Sequence, residues 1–341
     1  SLKAAKKYTK VVVLTRKNNR KSIEDEVQKL GVSNIEFEYF DLPKWLSFWK
    51  KGGRGIQLYA YLWEIFSFIY LLKYYKKDEF DVAQRVTFVS YRFPSFLWYF
   101  GKEFILGPVA GGERFPLSFL KIFSFKGKVK EFLRIIAQRV ALIDPLVLLT
   151  LYKANKIIAV TEDTKSILPH FAQKKTSIRP AISIDKSDFL WANLLSQSGK
   201  NDSVIRLLYV GRLLEWKGLM LVLRALKDIS ENNYEFNIIG SGNDKNRLLE
   251  YSEENGIHVN FLGQIVRSEI SKYYHNNDLF VFPSLHDSGG MVVLEAKAHD
   301  LPCIVSSFGG PKQFADENDV IIDARSPDEF VSKLTNVISQ W

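Results

Sequence analysis

The chain has 341 residues, 46% of them hydrophobic and 25% charged, with one cysteine and a formal net charge of +9. That length exceeds what a single hydrophobic core usually serves and points to two domains, and the composition to a folded globular protein. A lone Cys303 excludes an intrachain disulfide and a cysteine metal cluster; it fits a reducing cytoplasm and reads as a small buried hydrophobe beside Pro302.

The charge is uneven. Residues 1–180 carry 32 Lys and Arg against 16 Asp and Glu, whereas residues 181–341 carry 15 against 22. A basic first half suits a polyanionic or membrane-surface partner. Residues 1–10 lack the apolar core of a secretory signal and read as the tail of a helix, followed by a strand from Val11 to Thr15. A charged helix (Ser22 to Leu30) and a strand (Ile35 to Phe40) come next. From Leu42 to Tyr75 aromatic residues crowd together, Trp45, Trp49 and Trp63 among them, bracketed by Lys50, Lys51, Arg54, Lys76 and Lys77. Glu64 interrupts the apolar run Ile56 to Leu72, which leaves less than the roughly 18 residues a membrane span needs. Two readings stand: an amphipathic helix in the interface of an anionic membrane, or a buried helix of the first domain.

A further strand begins at Phe80, and the apolar strand around Phe104 ends in Gly107-Pro108, with Gly111, Gly112, Glu113 and Arg114 beyond it. This is either a ligand-facing loop or a structural turn. Residues 118–150 form a basic, aromatic helical stretch with Lys121, Lys126, Lys128, Lys130 and Arg134 continuing the positive surface. A strand from Ala154 to Val160 leads to a helix start at Thr161. The first domain then spans residues 1–185, a polar hinge-like linker residues 186–203, and the second domain residues 204–341.

Strands near 205, 235, 258, 279, 302 and 319 alternate with helices near 219, 244, 269, 292, 311 and 327, the rhythm of an α/β doubly wound parallel sheet. The strand Val204 to Val210 ends at Gly211, and Lys217-Gly218 leads into the next helix. Arg212 and Lys217 therefore sit in a strand-to-helix loop at the carboxyl edge, where open α/β sheets bind ligands. A guanidinium beside an ammonium suits a diphosphate; ordinary surface cations are the alternative. The strand Phe280 to Phe282 opens at Pro283 into Ser288-Gly289-Gly290, where the backbone can approach a ligand, and the helix from Met291 offers free N–H groups to an anion. Asp287 and Glu295 can face that same ligand. The histidines show no metal spacing, and the basic half carries no nucleic-acid motif.

Together, Gly211-Arg212, Lys217-Gly218, Gly240-Ser-Gly242, Phe261-Leu-Gly263, Asp287 with Glu295, Leu301-Pro302 and Gly309-Gly310-Pro311 resemble the nucleotide-sugar site of retaining family 4 glycosyltransferases of bacterial surface-polysaccharide type. The resemblance is close over residues 204–325 and loose before them. It implies a GT-B fold, two Rossmann-like domains facing across a cleft, and metal-independent, retaining transfer from a nucleoside-diphosphate sugar, UDP favoured, to a saccharide or lipid-linked acceptor. By resemblance, Arg212, Lys217 and Asp287 are catalytic and Glu295 holds the ribose. Gly289, Gly290, Met291, Val292, Gly211, Gly240 and Gly242 line the donor pocket, and Gly263 and Val266 hold the base. A subset of the family has a loop like Gly107–Glu113, in which Gly111 and Gly112 border the donor and Glu113 or Arg114 contacts the acceptor.

The departures are also informative. Asp287 stands where many relatives have glutamate. Gln84 occupies the position of a histidine found near a strand end in the family, and it cannot carry a proton. The family's opening strand and Gly-rich loop are expected ahead of Ser1. A catalytically weak GT-B protein that binds nucleotide sugars is the alternative reading, and the location expected is the cytoplasm, peripheral to the inner face of the membrane.

Overall fold

The computed structural model describes residues 4, 6–50, 52, 55–181, 204–229 and 234–341. The linker expected at 186–203 lies outside the described residues. Two short strands, β1 (Val11–Thr15) and β2 (Ile35–Tyr39), pair in parallel. Helices Arg20–Leu30 and Ile56–Leu71 follow β1 and β2 in the chain. A four-stranded sheet runs in the order β3 (Phe80–Arg85), β4 (Gly101–Val109), β5 (Lys156–Ala159), β6 (Thr176–Ile178), with helices Phe125–Ala141 and Pro145–Lys153 between β4 and β5.

The largest sheet holds β7 (Ile205–Val210), β8 (Tyr234–Ile239), β9 (Val259–Gly263), β10 (Leu279–Phe282), β11 (Cys303–Ser306) and β12 (Val320–Ile322). Its order is β12-β11-β10-β7-β8-β9, and the pairs are parallel. Every residue of β10 and β11 is buried, as expected of parallel strands covered on both faces. The helix Leu219–Lys227 buries seven of its nine residues against this sheet's core. Strand order reverses between β7 and β10, which puts the loops after these two strands at the switch point where doubly wound sheets bind ligands.

Close contacts divide the chain into two units, residues 1–106 with 143–156 and residues 107–142 with 157–341. This grouping departs from the predicted division at residue 185. The cause is apolar: Phe115, Phe119, Ile122 and Phe123 are buried in the same core as β7, β10 and the helix Pro327–Ser339. A division read from sequence continuity has no access to that packing.

In the first unit, Tyr59 and Trp63 of the helix Ile56–Leu71 pack with Leu42, and the Trp63 indole donates to the Phe40 carbonyl at 3.0 Å. Glu64 lies buried 3.6 Å from Arg85, and burial pushes its carboxyl up to about 7 against the pull of that guanidinium. This helix is therefore in large part a packed element of its unit. No helix among the described residues is long and apolar enough to cross a membrane.

Candidate donor site at the switch point

All the groups below belong to the second unit. Three glycine loops at the carboxyl edge are stacked backbone on backbone. The Gly240 N–H donates to the Gly263 carbonyl at 2.7 Å, and a Cβ on Gly240 would fall 1.8 Å from the Gly211 carbonyl oxygen. A Cβ on Gly242 would fall 2.0 Å from the Leu213 oxygen. Only glycine fits these approaches.

The loop after β7 is pressed onto the loop after β10. Gly218 has a φ of 75°, and a Cβ there would lie 2.2 Å from the Pro283 oxygen. Lys217, one residue earlier, is only 7% exposed and forms an ion pair with Asp287. Its ammonium also lies over the Trp216 and Phe282 rings, 4.5 and 4.6 Å from their centroids. Burial pulls the Lys217 pKa down; Asp287 opposes that, and the charge of Arg212 adds to it, so the net direction is downward. Arg212 is exposed, and its carbonyl accepts from the Tyr209 hydroxyl at 3.0 Å. The structure thus brings the two expected cations within each other's field beside Asp287.

Asp287 is pinned from behind. Its carbonyl accepts from the Gly310 N–H at 2.7 Å, and a Cβ on Gly309 would fall 2.3 Å from that oxygen. Gly290, with a φ of 64°, starts the short helix Met291–Lys297. Gly289 and Met291 line a small cavity with Ser288, Val160, Ala181 and Phe314, and Val292 is half-buried beside them in the chain. On the same helix Glu295 accepts from the Tyr274 hydroxyl at 3.2 Å and lies 3.6 Å from the exposed Arg267 guanidinium. Val266, which is exposed, precedes the helix that begins at Arg267, and it is the Arg267 side chain that reaches the Glu295 carboxylate.

The Gly111–Glu113 loop is built differently from what the resemblance implies. The Glu113 carboxylate is buried and accepts from the Gly111 N–H (3.0 Å), Thr161 Oγ1 (3.3 Å) and Thr164 Oγ1 (3.1 Å). Burial pushes its pKa up, and the hydrogen bonds from Thr164 and the Gly111 N–H work against the rise. Gly112 is locked against Thr164, its N–H donating to the hydroxyl at 3.2 Å. Of the pair proposed to touch an acceptor, Arg114 is the exposed one. Thr161 in turn lies against Gly310, so this loop backs the Asp287 turn.

Three residues that sequence reasoning passed over, Trp216, Glu131 and Glu215, complete the surroundings together with His286, which the sequence marks only by its place beside Asp287. The Trp216 ring stacks on His286 with centroids 4.4 Å apart, and His286 Nε2 lies 3.1 Å from Glu131 Oε1. Glu215 accepts from both the backbone N–H and the hydroxyl of Ser124 at 2.7 Å. A Cβ on Gly127 would strike that carboxylate at 2.4 Å. The helix Phe125–Ala141 is therefore tied to the loop after β7 at its start and to the Asp287 turn about two turns later. Arg134, expected on a positive surface, instead pairs with Glu131 at 2.7 Å and donates to the Glu113 carbonyl at 3.1 Å.

Burial alone would push Glu131 up; the hydrogen bond and charge of His286, joined by Arg134, outweigh it and hold the carboxyl below the usual range. A carboxylate depressed in the folded state stabilises it above the unfolded-state pKa, and that contribution disappears as pH falls through the folded value. Glu131→Gln is accordingly expected to lower the urea midpoint at pH 7 and to converge with wild type in acid, below about pH 4. A constant difference across that range would show that the charge has no role.

Among the described residues no group of three or more His, Cys, Asp or Glu is placed to hold a metal ion.

Residues 193–341 match the family model described as Glycosyl transferases group 1. An uncharacterized glycosyltransferase of Methanocaldococcus jannaschii is 32% identical over 154 residues, 44% of this chain and 40% of that one. The UDP-Gal:alpha-D-GlcNAc-diphosphoundecaprenol alpha-1,3-galactosyltransferase of Escherichia coli is 31% identical over 135 residues, 38% of this chain and 35% of that one. The solved structure of Anabaena HepE in complex with UDP superposes with a TM-score of 0.55 at 15% identity, covering 94% of this chain and 80% of that one. The chain spans about half or less of the length of the curated relatives it matches. Its architecture is the GT-B fold, a parallel-sheet α/β arrangement with two Rossmann-like sheets.

Proposed function

We propose that this protein is a glycosyltransferase that takes a sugar from a nucleoside-diphosphate sugar, UDP favoured, and passes it with retained anomeric configuration to a saccharide or lipid-linked saccharide acceptor in cell-surface polysaccharide synthesis. The observation that carries the reading is the convergence of Arg212, Lys217 and Asp287 at the switch point between β7 and β10. The main barrier in such a transfer is separating a diphosphate from an oxocarbenium-like sugar. Positive charge fixed in advance near the departing oxygens lowers that barrier most. Lys217, buried and oriented by Asp287, supplies a fixed charge; exposed Arg212 adds a planar donor able to bind two oxygens at once. Glu295, on the helix that follows the Asp287 turn, offers two acceptor oxygens suited to the paired hydroxyls of a ribose. In keeping with the matched names, the UDP donor and the lipid-linked acceptor of the Escherichia coli relative are the first substrates to try. The lone buried Cys303 is in keeping with a reducing cytoplasm.

The decisive experiment is thermal unfolding with UDP, GDP and ADP and with their sugars. A nucleotide at about 100 times its Kd stabilises the native state by about 2.7 kcal/mol. For units of this size that is a rise in Tm of several degrees. We expect UDP to give the largest rise. If no nucleotide moves the transition, the donor-site reading fails; binding without turnover of any UDP-sugar would favour a protein that binds the donor without transferring it.

A further inference from the structure

The helix Phe125–Ala141 is turned inside out. Its buried positions include Gly127, Glu131 and Gln138, which face the loops described above. Its apolar residues point outward: Phe125 is 81% exposed, Phe132 62%, Leu133 59% and Val140 53%, with Val129 and Ile136 between them. At about 100° per residue these six positions fall within an arc of about 100°, so they form one continuous stripe along the helix. A stripe of this kind normally faces a core. Isolated exposed apolar residues need no explanation, but a contiguous row of them on one helix face does.

We propose that this face docks on an anionic lipid bilayer, with the helix lying in the plane of the interface. The charges select that occupant. On the same wheel Lys126 borders one side of the stripe, and Lys128 and Arg139 border the other, all exposed. The only acid in the helix, Glu131, is buried on the opposite face. An apolar stripe flanked by cations matches acyl chains beneath negatively charged headgroups. A second copy of the chain matches poorly, because self-pairing would set these cations against one another with no exposed acid on the helix to meet them. The inference stands apart from the glycosyl-transfer reading and moves the membrane-facing role from the aromatic stretch 42–75 to residues 125–141. The polar face of this helix holds Glu131 against His286, so a docked helix would bring the Asp287 turn close to the lipid surface.

The test is co-sedimentation of the whole chain with phosphatidylcholine vesicles and with vesicles containing phosphatidylglycerol, for wild type, Phe132→Glu with Leu133→Glu, and Lys126→Glu with Lys128→Glu. Both replaced pairs are exposed, and equal melting temperatures would establish that the variants fold. We expect wild type to bind the phosphatidylglycerol vesicles. The apolar-face variant should weaken that binding at least about tenfold, and the charge variant should abolish the preference for anionic lipid. The proposal is overturned if wild type ignores both vesicles, or if the folded variants bind as wild type does. It is also overturned if light scattering shows wild type self-associating through this face, with the apolar-face variant monomeric and vesicle binding unchanged.

Discussion

Replacing Lys217 with alanine is expected to reduce kcat for sugar transfer by about 100-fold to 1,000-fold, the range seen when one preorganised donor to a developing negative charge is removed. The ammonium is buried, paired with Asp287 and packed over the Trp216 and Phe282 rings, a fixed position that the exposed Arg212 side chain does not reproduce. Loss of the lysine also leaves Asp287 without its partner. Breaking a fully buried pair costs about 3–5 kcal/mol, and less here, since Asp287 keeps some exposure. Two controls separate chemistry from folding. Lys217→Arg keeps a charge but not the compact ammonium, and should recover stability more than turnover. Nucleotide binding by Lys217→Ala should weaken less than kcat falls, because the charge acts mainly on the departing diphosphate. A variant with near wild-type kcat would remove Lys217 from the mechanism and with it the main support for the assignment.

Gly240→Ala should be the most damaging of the single-methyl changes. The added carbon would lie 1.8 Å from the backbone oxygen of Gly211, at a φ of 141° that side chains rarely adopt. Neither obstacle can move without shifting the loop after β7. Overpacking and backbone strain each contribute roughly 1–3 kcal/mol, so a loss of about 3 kcal/mol or more is expected, together with loss of nucleotide binding. Gly289→Ala is the informative contrast. A Cβ there meets nothing within 4 Å, so the melting temperature should stay close to wild type. If the backbone at Gly289 does approach a phosphate, binding weakens all the same. Calorimetry on both variants separates the structural glycine from the ligand-facing one; a Gly240→Ala protein as stable as wild type would refute the stacked-loop account.

The large sheet was legible because its physics is local. Strands buried on both faces must read as short apolar runs, and glycines forced by backbone contact leave a fixed mark wherever a loop turns back. The starts expected near 205, 235, 258 and 279 correspond to strands beginning at Ile205, Tyr234, Val259 and Leu279. The loop positions of Arg212, Lys217 and Asp287 were readable because each lies in a loop that follows a strand end periodicity locates. What stayed hidden depends on which side of an element meets which neighbour. The apolar spacing of residues 125–141 announces an amphipathic helix, and spacing alone assigns its apolar side to a core; the fold buries the polar side instead. His286 and Glu131 are 155 positions apart in the chain, and nothing in either local pattern marks them as partners. Glu113 illustrates the reverse error. A carboxylate after two glycines looks ready for a ligand, yet Thr161 and Thr164 arrive from a later segment and absorb its hydrogen-bonding capacity.

The contribution of Phe115, Phe119, Ile122 and Phe123 to the core beneath β7 and β10 bears on how the protein can be dissected. A fragment beginning at Val204, the obvious place for expressing the nucleotide-binding half alone, would be deprived of four aromatic and aliphatic plugs and would present their empty sockets to water. Such a truncate should be sticky and poorly soluble in bacterial expression, whereas the same fragment supplied with a peptide covering residues 112–125 should regain solubility.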